Sequence, residues 1–256
     1  MPSEHTAATR RRVALVTGAS GGIGEAIVRT LAADGIDVTA VARREGPLAA
    51  LAEECGCRTG VLDVRDREAL ERLVGGLEPD ILVNNAGTGH GIAGIESSDV
   101  EDIAVAVETN VAAPLHAIRA ALPAMRRRGA GHIVTIGSIA GLHPLVSAVY
   151  GATKAAVHRM SENLRVELAG SGIRVSEIAP GRVTSGFYGA ANLAPEDAAR
   201  LGDSGIVELR PEDIADAVRY VLSAPPHVNI SLIELLPTEQ VVGGVRMVPT
   251  GEGGAS

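Results

Sequence analysis

The sequence is poor in aromatic residues, cysteine and lysine. It has no tryptophan, one phenylalanine and three tyrosines among 256 residues, so aliphatic side chains must fill the core, and a hydrophobic content of 46% provides them. The two cysteines, Cys55 and Cys57, are poorly placed to bridge each other and have no second Cys/His cluster at metal-binding spacing. We therefore expect free thiols, a reducing cytoplasmic compartment and no bound metal.

Long apolar runs and an excess of basic residues are also missing. The first apolar segment is interrupted by glycines and followed by Glu25 and Arg29, which leaves it far short of the roughly 20 apolar residues that a membrane helix needs. The formal net charge is -8, which argues against nucleic acid or an anionic membrane as a partner, because phosphate binding needs a concentrated positive face. Residues 1–11 and 241–256 are expected to be loose termini.

Short apolar segments alternate with segments whose apolar residues recur at every third and fourth position. This alternation predicts one α/β domain over residues 1–256: a Rossmann-type, doubly wound parallel sheet of about seven strands with helices on both faces. The predicted buried strands are Val13–Thr17, Asp37–Ala42, Thr59–Val64, Asp80–Asn85, His132–Gly137, Arg174–Ala179 and Ser231–Leu236. Ligands of such sheets bind beyond the carboxyl ends of the strands, so functional residues are expected there.

A glycine-rich turn, "TGASGGIG", follows the first predicted strand and opens a helix. Glycines permit a tight turn and a close backbone approach, and a helix N-terminus presents free N–H groups to a pyrophosphate. A turn without a ligand is the alternative for such a loop. The candidate cofactor-binding residues here are Gly18, Ser20, Gly22, Ile23 and Gly24.

The end of the second predicted strand indicates which dinucleotide would bind. An acidic residue is expected there for NAD, whereas a 2′-phosphate calls for arginine. This chain has Ala42 at that point, followed by Arg43 and Arg44. Guanidinium groups bind phosphate through paired hydrogen bonds, so we predict NADP(H), with a solvated pair of arginines at the start of the next helix as the alternative.

Lysine occurs once, at Lys154, whereas the other 22 basic residues are arginine. It lies four residues after Tyr150, and residues i and i+4 share a helix face. An adjacent ammonium favours the phenolate and should lower the tyrosine pKa toward the range that a general acid or base requires. We therefore interpret Tyr150 and Lys154 as a catalytic pair.

Two further polar residues are candidates for the same site. Ser138 follows the fifth predicted strand, where its hydroxyl could donate to a substrate oxygen, although a helix cap is the simpler interpretation of that serine alone. Asn110 is more often a residue that bonds local backbone when it is seen alone.

Together these motifs resemble the short-chain dehydrogenase/reductase family. "TGASGGIG", "NNAG" at 84–87, Asn110, Ser138 with "YGATK", and "PG" at 180–181 occur in the family's order, and the resemblance extends from about Val13 to Leu236. It implies that Tyr150 is the acid/base, that Lys154 tunes it and binds ribose, that Ser138 holds the reacting oxygen and that Asn110 positions a relay water. It also implies cofactor contacts for Asp63, Val64, Asn84, Ala86, Gly87, Pro180, Gly181, Val183 and Ser185.

The chain departs from the family pattern at two points. NADP-users often have a basic residue inside the glycine loop, where this chain has Gly21, so the phosphate contact is expected to rest on Arg43, with help from Arg44. Ser185 stands where threonine is common, which preserves a hydroxyl group.

A substrate lid is expected at residues 181–209, after the sixth strand. It contains Phe187 and Tyr188, which we interpret as a substrate wall, with ordinary lid packing as the alternative. His90, His143 and Arg182 are expected near the mouth, where they could contact a polar or anionic substrate or simply be surface residues.

The C-terminal region resembles the branch that includes 3-hydroxy acid (serine-type) dehydrogenases and clavulanic-aldehyde-type reductases. The resemblance implies a small carbonyl or alcohol substrate and a homotetramer or homodimer that pairs the helix carrying Tyr150 with the preceding helix. It leaves open whether the substrate is a 3-hydroxy acid or a biosynthetic aldehyde or ketone. A non-catalytic NADP(H)-binding sensor on the same fold is the alternative from another functional class.

Overall fold

A parallel β-sheet of seven strands forms the centre of the part of the chain that the computed structural model describes, residues 10–145 and 147–242. The strand order is β3-β2-β1-β4-β5-β6-β7, and every neighbouring pair is parallel. The strands are β1 (Val13–Thr17), β2 (Asp37–Ala42), β3 (Arg58–Val61), β4 (Ile81–Asn84), β5 (Gly131–Ile136), β6 (Ile173–Pro180) and β7 (Leu232–Leu235). The predicted loose termini lie outside the described residues except for Arg10, Arg11, Val241 and Val242.

Two of the predicted strands are not buried. β3 and β7 are the outermost strands, and Val61 and Leu232 are 53% and 36% exposed. The prediction of buried strands is therefore wrong for these two, because an edge strand has only one neighbour and incomplete helix cover. β3 also ends at Val61, three residues before the predicted end, so Asp63 and Val64 lie in the loop that follows it.

Helices pack on both faces of the sheet, as predicted. One buried cluster joins the sheet to α1, α2 and α8, and a second joins its other face to α3, α5 and α6. The helices are α1 (Gly22–Ala33), α2 (Glu45–Cys55), α3 (Arg67–Leu77), α4 (Val100–Val107), α5 (Ala113–Arg128), α6 (Ala148–Glu167), α7 (Pro195–Gly202) and α8 (Pro211–Ser223). None of the helices in the described ranges is both long enough and apolar enough to cross a membrane.

The two ends of the segment after β6 pair with each other. Val183 forms an isolated parallel bridge with Leu209, supported by a hydrogen bond of 2.8 Å from the Thr184 amide to the Leu209 carbonyl. Between these points the chain forms a short helical turn, Tyr188–Ala190, and α7. Residues 181–209, called the lid below, thus form a loop that carries a helix, and their role over a substrate stays a prediction.

Candidate active site

Tyr150 and Lys154 lie one turn apart on α6, as predicted. Both side chains are buried, with exposed fractions of 8% and 7%, and the Lys154 Nζ atom is 5.9 Å from the centroid of the Tyr150 ring. The ammonium donates a hydrogen bond of 3.0 Å to the carbonyl oxygen of Ile136, at the end of β5. This bond holds the only lysine of the chain at the carboxyl edge of the sheet.

The pKa of Tyr150 shifts in the direction opposite to the prediction. Burial raises it to about 12, while the Ser138 side chain lowers it and Tyr188 raises it further. The predicted lowering of this pKa by Lys154 is therefore wrong for the structure, because burial disfavours the charged phenolate and Lys154 is not among the groups that shift this pKa. Burial also lowers the pKa of Lys154 to about 8, against the opposing effect of Glu177.

Ser138 lies two residues after the end of β5 and caps the turn that follows it. Its Oγ atom accepts a hydrogen bond of 3.1 Å from the Ala140 amide and so caps the short helical turn Ile139–Gly141. A Cβ atom at Gly141 would lie 2.5 Å from the Lys154 carbonyl oxygen, so this turn packs directly on α6. The cap interpretation of Ser138 is therefore confirmed, whereas its contact with a substrate oxygen stays a prediction. The Ser138 side chain also acts on Tyr150, whose pKa it lowers.

Asn110 lies in a π-helical turn, Glu108–Ala112, between α4 and α5, and it is buried. Its side chain brackets the backbone of Thr88, donating to the carbonyl at 3.0 Å and accepting from the amide at 2.8 Å. It also donates to the Thr153 hydroxyl at 3.0 Å. A Cβ atom at Gly87 would lie 3.4 Å from the Asn110 Oδ1 atom and 3.7 Å from the Lys154 Nζ atom, so Asn110, Gly87 and Lys154 converge.

Two glycines of the loop after β1, Gly18 and Gly24, have no room for a side chain. Gly18 has a φ of 69°, in the left-handed region, and a Cβ atom there would lie 2.8 Å from the Ala86 Cα atom. A Cβ atom at Gly24 would overlap the Gly18 carbonyl oxygen. The Asn85 side chain donates to the carbonyls of Thr17 and Gly18 at 2.9 and 3.1 Å. The second asparagine of "NNAG" thus fixes the loop, a role that sequence reasoning missed.

Arg44, rather than Arg43, reaches the glycine loop. The Arg44 guanidinium donates to the carbonyl oxygen of Ser20 at 2.8 Å and to its hydroxyl at 3.2 Å, and it lies 3.1 Å from the position of a Cβ atom at Gly21. Arg43 points toward the Asp63 carboxylate, at 4.0 Å, with 72% of its side chain exposed. Arg44 therefore places a basic group over Gly21, while the phosphate contact expected of Arg43 stays a prediction.

Four predicted cofactor residues lie at or just beyond the ends of β3 and β4, namely Asp63, Val64, Asn84 and Ala86. The Asp63 carboxylate pairs with the Arg65 guanidinium. Burial raises the pKa of Asp63, but Arg65 lowers it by a larger amount, so the net shift is downward. The Asn84 side chain is buried, and its Nδ2 atom has no hydrogen-bond partner among the described residues. Asn84 lines a small hollow together with Val64 and Ala86.

The end of β6 brings a C-terminal residue to the site. Pro180 is the last residue of this strand, and the Gly181 amide donates to the Leu235 carbonyl at 2.7 Å. The Gln240 side-chain oxygen occupies the space of a Cβ atom at Gly181 and accepts from the Arg182 amide at 2.8 Å. A Cβ atom at Gly22 would lie 3.5 Å from the Ser185 Cβ atom, so the lid base reaches the glycine loop.

Phe187 is the lid residue that reaches Tyr150. The two rings meet edge to face with centroids 5.5 Å apart, and Tyr188 packs on the other side of Phe187 at 5.3 Å. Arg182 stacks on the Tyr188 ring at 4.9 Å and donates to the Leu201 carbonyl at 2.6 Å. The Arg182 side chain therefore makes its contacts within the lid.

The two histidines expected at the mouth each pair with a carboxylate. The His143 ring lies 2.6 Å from the Glu234 carboxylate on β7. The His90 ring lies 2.7 Å from the Asp102 carboxylate, which also accepts a hydrogen bond of 3.0 Å from the Asn192 amide of the lid. His90 thus connects to the lid through Asp102, whereas His143 connects to the sheet edge.

Three comparisons with known proteins agree with this geometry. The family model described as short chain dehydrogenase matches residues 12–195, a range that includes the glycine loop, Ser138, Tyr150 and Lys154. The NADP-dependent 3-hydroxy acid dehydrogenase YdfG of Salmonella typhi is 40% identical over 245 residues, which cover 92% of this chain and 98% of that protein. Sulfoacetaldehyde reductase 2 of Chromohalobacter salexigens is 36% identical over 239 residues, which cover 89% and 95%. The closed form of serine dehydrogenase complexed with NADP+ has a TM-score of 0.87 at 39% identity, covering 93% of this chain and 99% of that one.

Proposed function

The chain belongs to the short-chain dehydrogenase family, and from this membership we propose that it is an NADP(H)-dependent oxidoreductase that interconverts a carbonyl and an alcohol on a small polar substrate. The observation that carries the proposal is the buried pair of Tyr150 and Lys154 at the same sheet edge as the glycine loop. The predicted family and fold class are confirmed.

The residues of the described cleft fit a dinucleotide. Glycine at positions 18 and 24 lets the loop pack closely against neighbouring backbone, where a Cβ atom would collide. The Asn84 Nδ2 atom is buried without a partner among the described residues, and the Arg44 guanidinium lies over the loop. Arg44, with Arg43 beside it, would hold the 2′-phosphate. The remaining residues that would hold NADP(H) are Gly18, Ser20, Gly22, Ile23, Gly24, Asp63, Val64, Asn84, Ala86, Gly87, Pro180, Gly181, Val183 and Ser185.

The nicotinamide would donate or accept the hydride, and the side chains of the chain would handle the proton. A phenol whose pKa is about 12 is protonated at neutral pH, so Tyr150 can donate its proton to a carbonyl oxygen during reduction. Ser138 would donate a hydrogen bond to the same oxygen as charge develops on it. The Lys154 ammonium would stabilise the phenolate that remains, and Asn110 holds the Thr88 backbone in place beside it.

We further propose a 3-hydroxy acid as the substrate class. The support comes from the names of relatives: the Salmonella typhi protein is called a 3-hydroxy acid dehydrogenase, and the NADP+ complex is that of a serine dehydrogenase. Phe187 would then form a wall of the substrate pocket, since its ring meets that of Tyr150. His90, His143, Arg182 and Tyr188 remain weaker candidates because each has a partner within the protein.

A reductase of a small aldehyde or ketone is the second candidate. The observation that favours it is the 36% identity to a sulfoacetaldehyde reductase, whose name implies an anionic aldehyde. The two candidates share the site and differ in substrate and physiological direction. A sensor without turnover stays the alternative outside enzymes.

Organisation and location are part of the same proposal. We propose a single domain with a substrate lid at residues 181–209, a homo-oligomer and a cytoplasmic location. Leu115 on α5 and Val166 on α6 are exposed apolar residues on the helices that were predicted to pair between subunits. Cys55 and Cys57 are free thiols, in keeping with a reducing compartment.

The decisive experiment follows NADPH formation and consumption by absorbance. Serine and other 3-hydroxy acids are offered with NADP+, and small aldehydes, ketones and 3-oxo acids with NADPH, with NAD(H) run in parallel. Oxidation of 3-hydroxy acids with NADP+ preferred supports the first candidate, and turnover of aldehydes alone supports the second. Binding of NADPH without turnover of any substrate would contradict both and favour the sensor.

A further inference from the structure

Glu177 is a buried carboxylate that the proposed reaction does not use. It lies on β6 with an exposed fraction of 1%, and its Oε2 atom is 2.9 Å from the Nδ1 atom of His158 on α6. Its Oε1 atom is buried and has no hydrogen-bond partner in the described part of the chain. A carboxylate in this position is costly unless a positive charge compensates it.

The free Oε1 atom is directed toward the end of β5. It occupies the space that a Cβ atom would take at Gly137, so the carboxylate packs on the backbone of that glycine. The preceding residue, Ile136, is the one whose carbonyl oxygen accepts the hydrogen bond from Lys154. The following residue is Ser138. The carboxylate therefore packs beneath the strand end that holds two of the polar groups of the site.

Lys154 and His158 are one turn apart on α6 and share a face. His158 binds one oxygen of Glu177, and its Nε2 atom faces Glu162, at 3.7 Å. The carboxylate is thus held from the α6 side, next to the turn that carries Lys154. This arrangement links the sheet to the helix through an acid that is shielded from water.

We propose that Glu177 is a positioning residue for the reaction: its carboxylate, held by His158, keeps the Lys154 side chain charged and directed into the site. The inference rests on the proposed function, in which Lys154 supports Tyr150. It assigns no contact between Glu177 and the substrate, because Glu177 acts through Lys154.

The charges around the pair agree with this role. Burial lowers the pKa of Lys154, and Glu177 is the neighbour that raises it again. Burial raises the pKa of Glu177, while His158, Lys154 and Arg165, all on α6, lower it. On β7, Glu234 is the register partner of Ala179 on β6, and its carboxylate is paired with His143 from the loop after Ser138. Without Glu177, burial would act on Lys154 unopposed, and its ammonium would lose its proton at lower pH.

The single lysine makes a direct test possible. Protein labelled with lysine that carries 13C at the ε carbon gives one side-chain resonance, and its chemical shift against pH reports the protonation of Lys154 alone. Glu177→Gln is expected to lower the midpoint of this titration by about one pH unit, the size of effect typical of a nearby opposite charge. Glu177→Asp retains the charge and is expected to restore most of the shift.

Glu162→Gln is the matched control, because Glu162 faces the same histidine from outside. It is expected to leave the Lys154 midpoint where it is in the unchanged protein. An equal shift in this control would overturn the proposal, since the effect would then be one of general charge. Thermal unfolding and NADPH binding identify the variants that retain the fold.

A second variant covers failure of Glu177→Gln to fold. His158→Gln combined with Glu177→Gln replaces the imidazole and the carboxylate by two amides that can bond each other, and the Lys154 midpoint is expected to fall as in the single variant. A folded variant with an unchanged midpoint sinks the proposal. Because the titration needs no turnover, this result is independent of whether the chain proves to be an enzyme. If it is, the alkaline limb of kcat against pH is expected to move by the same amount in Glu177→Gln.

Discussion

Arg44 and Ser20 are joined by two hydrogen bonds, from the guanidinium to the carbonyl oxygen at 2.8 Å and to the hydroxyl at 3.2 Å. They connect Arg44, the second residue after β2, to the glycine loop after β1. A basic side chain thereby covers Gly21, which has no side chain of its own.

The first prediction follows from this contact. Arg44→Ala is expected to weaken NADPH binding about 10- to 100-fold, because hydrogen bonds to charged groups contribute about 1.5–3 kcal/mol each. The effect on NADH, which has no 2′-phosphate, is expected to be small. Fluorescence titration with both nucleotides measures the two dissociation constants.

Two further variants interpret this result. Arg72→Ala, at an exposed position of α3, is the control and is expected to bind NADPH as the unchanged protein does. Arg43→Asp is expected to weaken NADPH binding through repulsion, although the Arg43 side chain lies farther from the loop. If Arg44→Ala and Arg43→Asp both bound NADPH normally, the assignment of the 2′-phosphate site would be wrong.

Tyr150→Phe is expected to reduce kcat by about 100- to 10,000-fold, the range typical of the loss of a general acid. NADPH affinity is expected to stay nearly unchanged, because the ring and its contact with Phe187 remain. Initial rates and nucleotide titration separate the two effects. Tyr220→Phe, on the exposed surface of α8, serves as the matched control. Activity in Tyr150→Phe equal to that of the control would refute the assigned role.

Asn110→Ala is expected to destabilise the fold as well as the site. The change leaves the partly buried amide and carbonyl of Thr88 without their partner, and each unsatisfied group costs about 1–3 kcal/mol when water does not replace that partner. Urea unfolding is expected to show a loss of about 2 kcal/mol or more, whereas Asn163→Ala, at an exposed position of α6, should stay within about 0.5 kcal/mol of the unchanged protein. Unchanged stability in Asn110→Ala would show that the bracket around Thr88 contributes little.

Lys154→Met is expected to change how stability depends on pH. The pKa of Lys154 is about 8 in the folded protein against 10.5 for the free side chain. Between these values the unfolded chain binds the proton and the folded chain does not, so this lysine adds stability as pH rises. Below pH 8 both states bind the proton, so the contribution of Lys154 to the free energy of unfolding is constant there and at its least favourable value.

The unchanged protein is therefore expected to gain about 2 kcal/mol relative to Lys154→Met between pH 7.5 and 9.5. Urea unfolding of both proteins at the two pH values measures the difference, and all other titrating groups are common to both. A difference that does not change with pH would mean that the lysine is not desolvated in the folded state.

Most of the fold could be predicted from sequence because its signals are local. Apolar runs and helical periodicity located all seven strands, and β1 and β2 match to the residue. The glycine-rich loop after β1 is visible in the sequence as a motif that follows an apolar run. The four-residue spacing of Tyr150 and Lys154 is enough to place them on one helix face. The exposure of β3 and β7 could not be read in this way, since it depends on which strands lie at the edge.

Residue types and their spacing along the chain were sufficient to predict the fold class and the candidate pair Tyr150 and Lys154, and the resemblance of the motifs was sufficient to predict the family. The folded structure was needed to show that Arg44 rather than Arg43 covers the glycine loop, and that the pKa of Tyr150 rises instead of falling. It also brought Glu177 and His158 together near Lys154. These outcomes depend on burial and on contacts between separate elements, and neither is encoded in a local pattern.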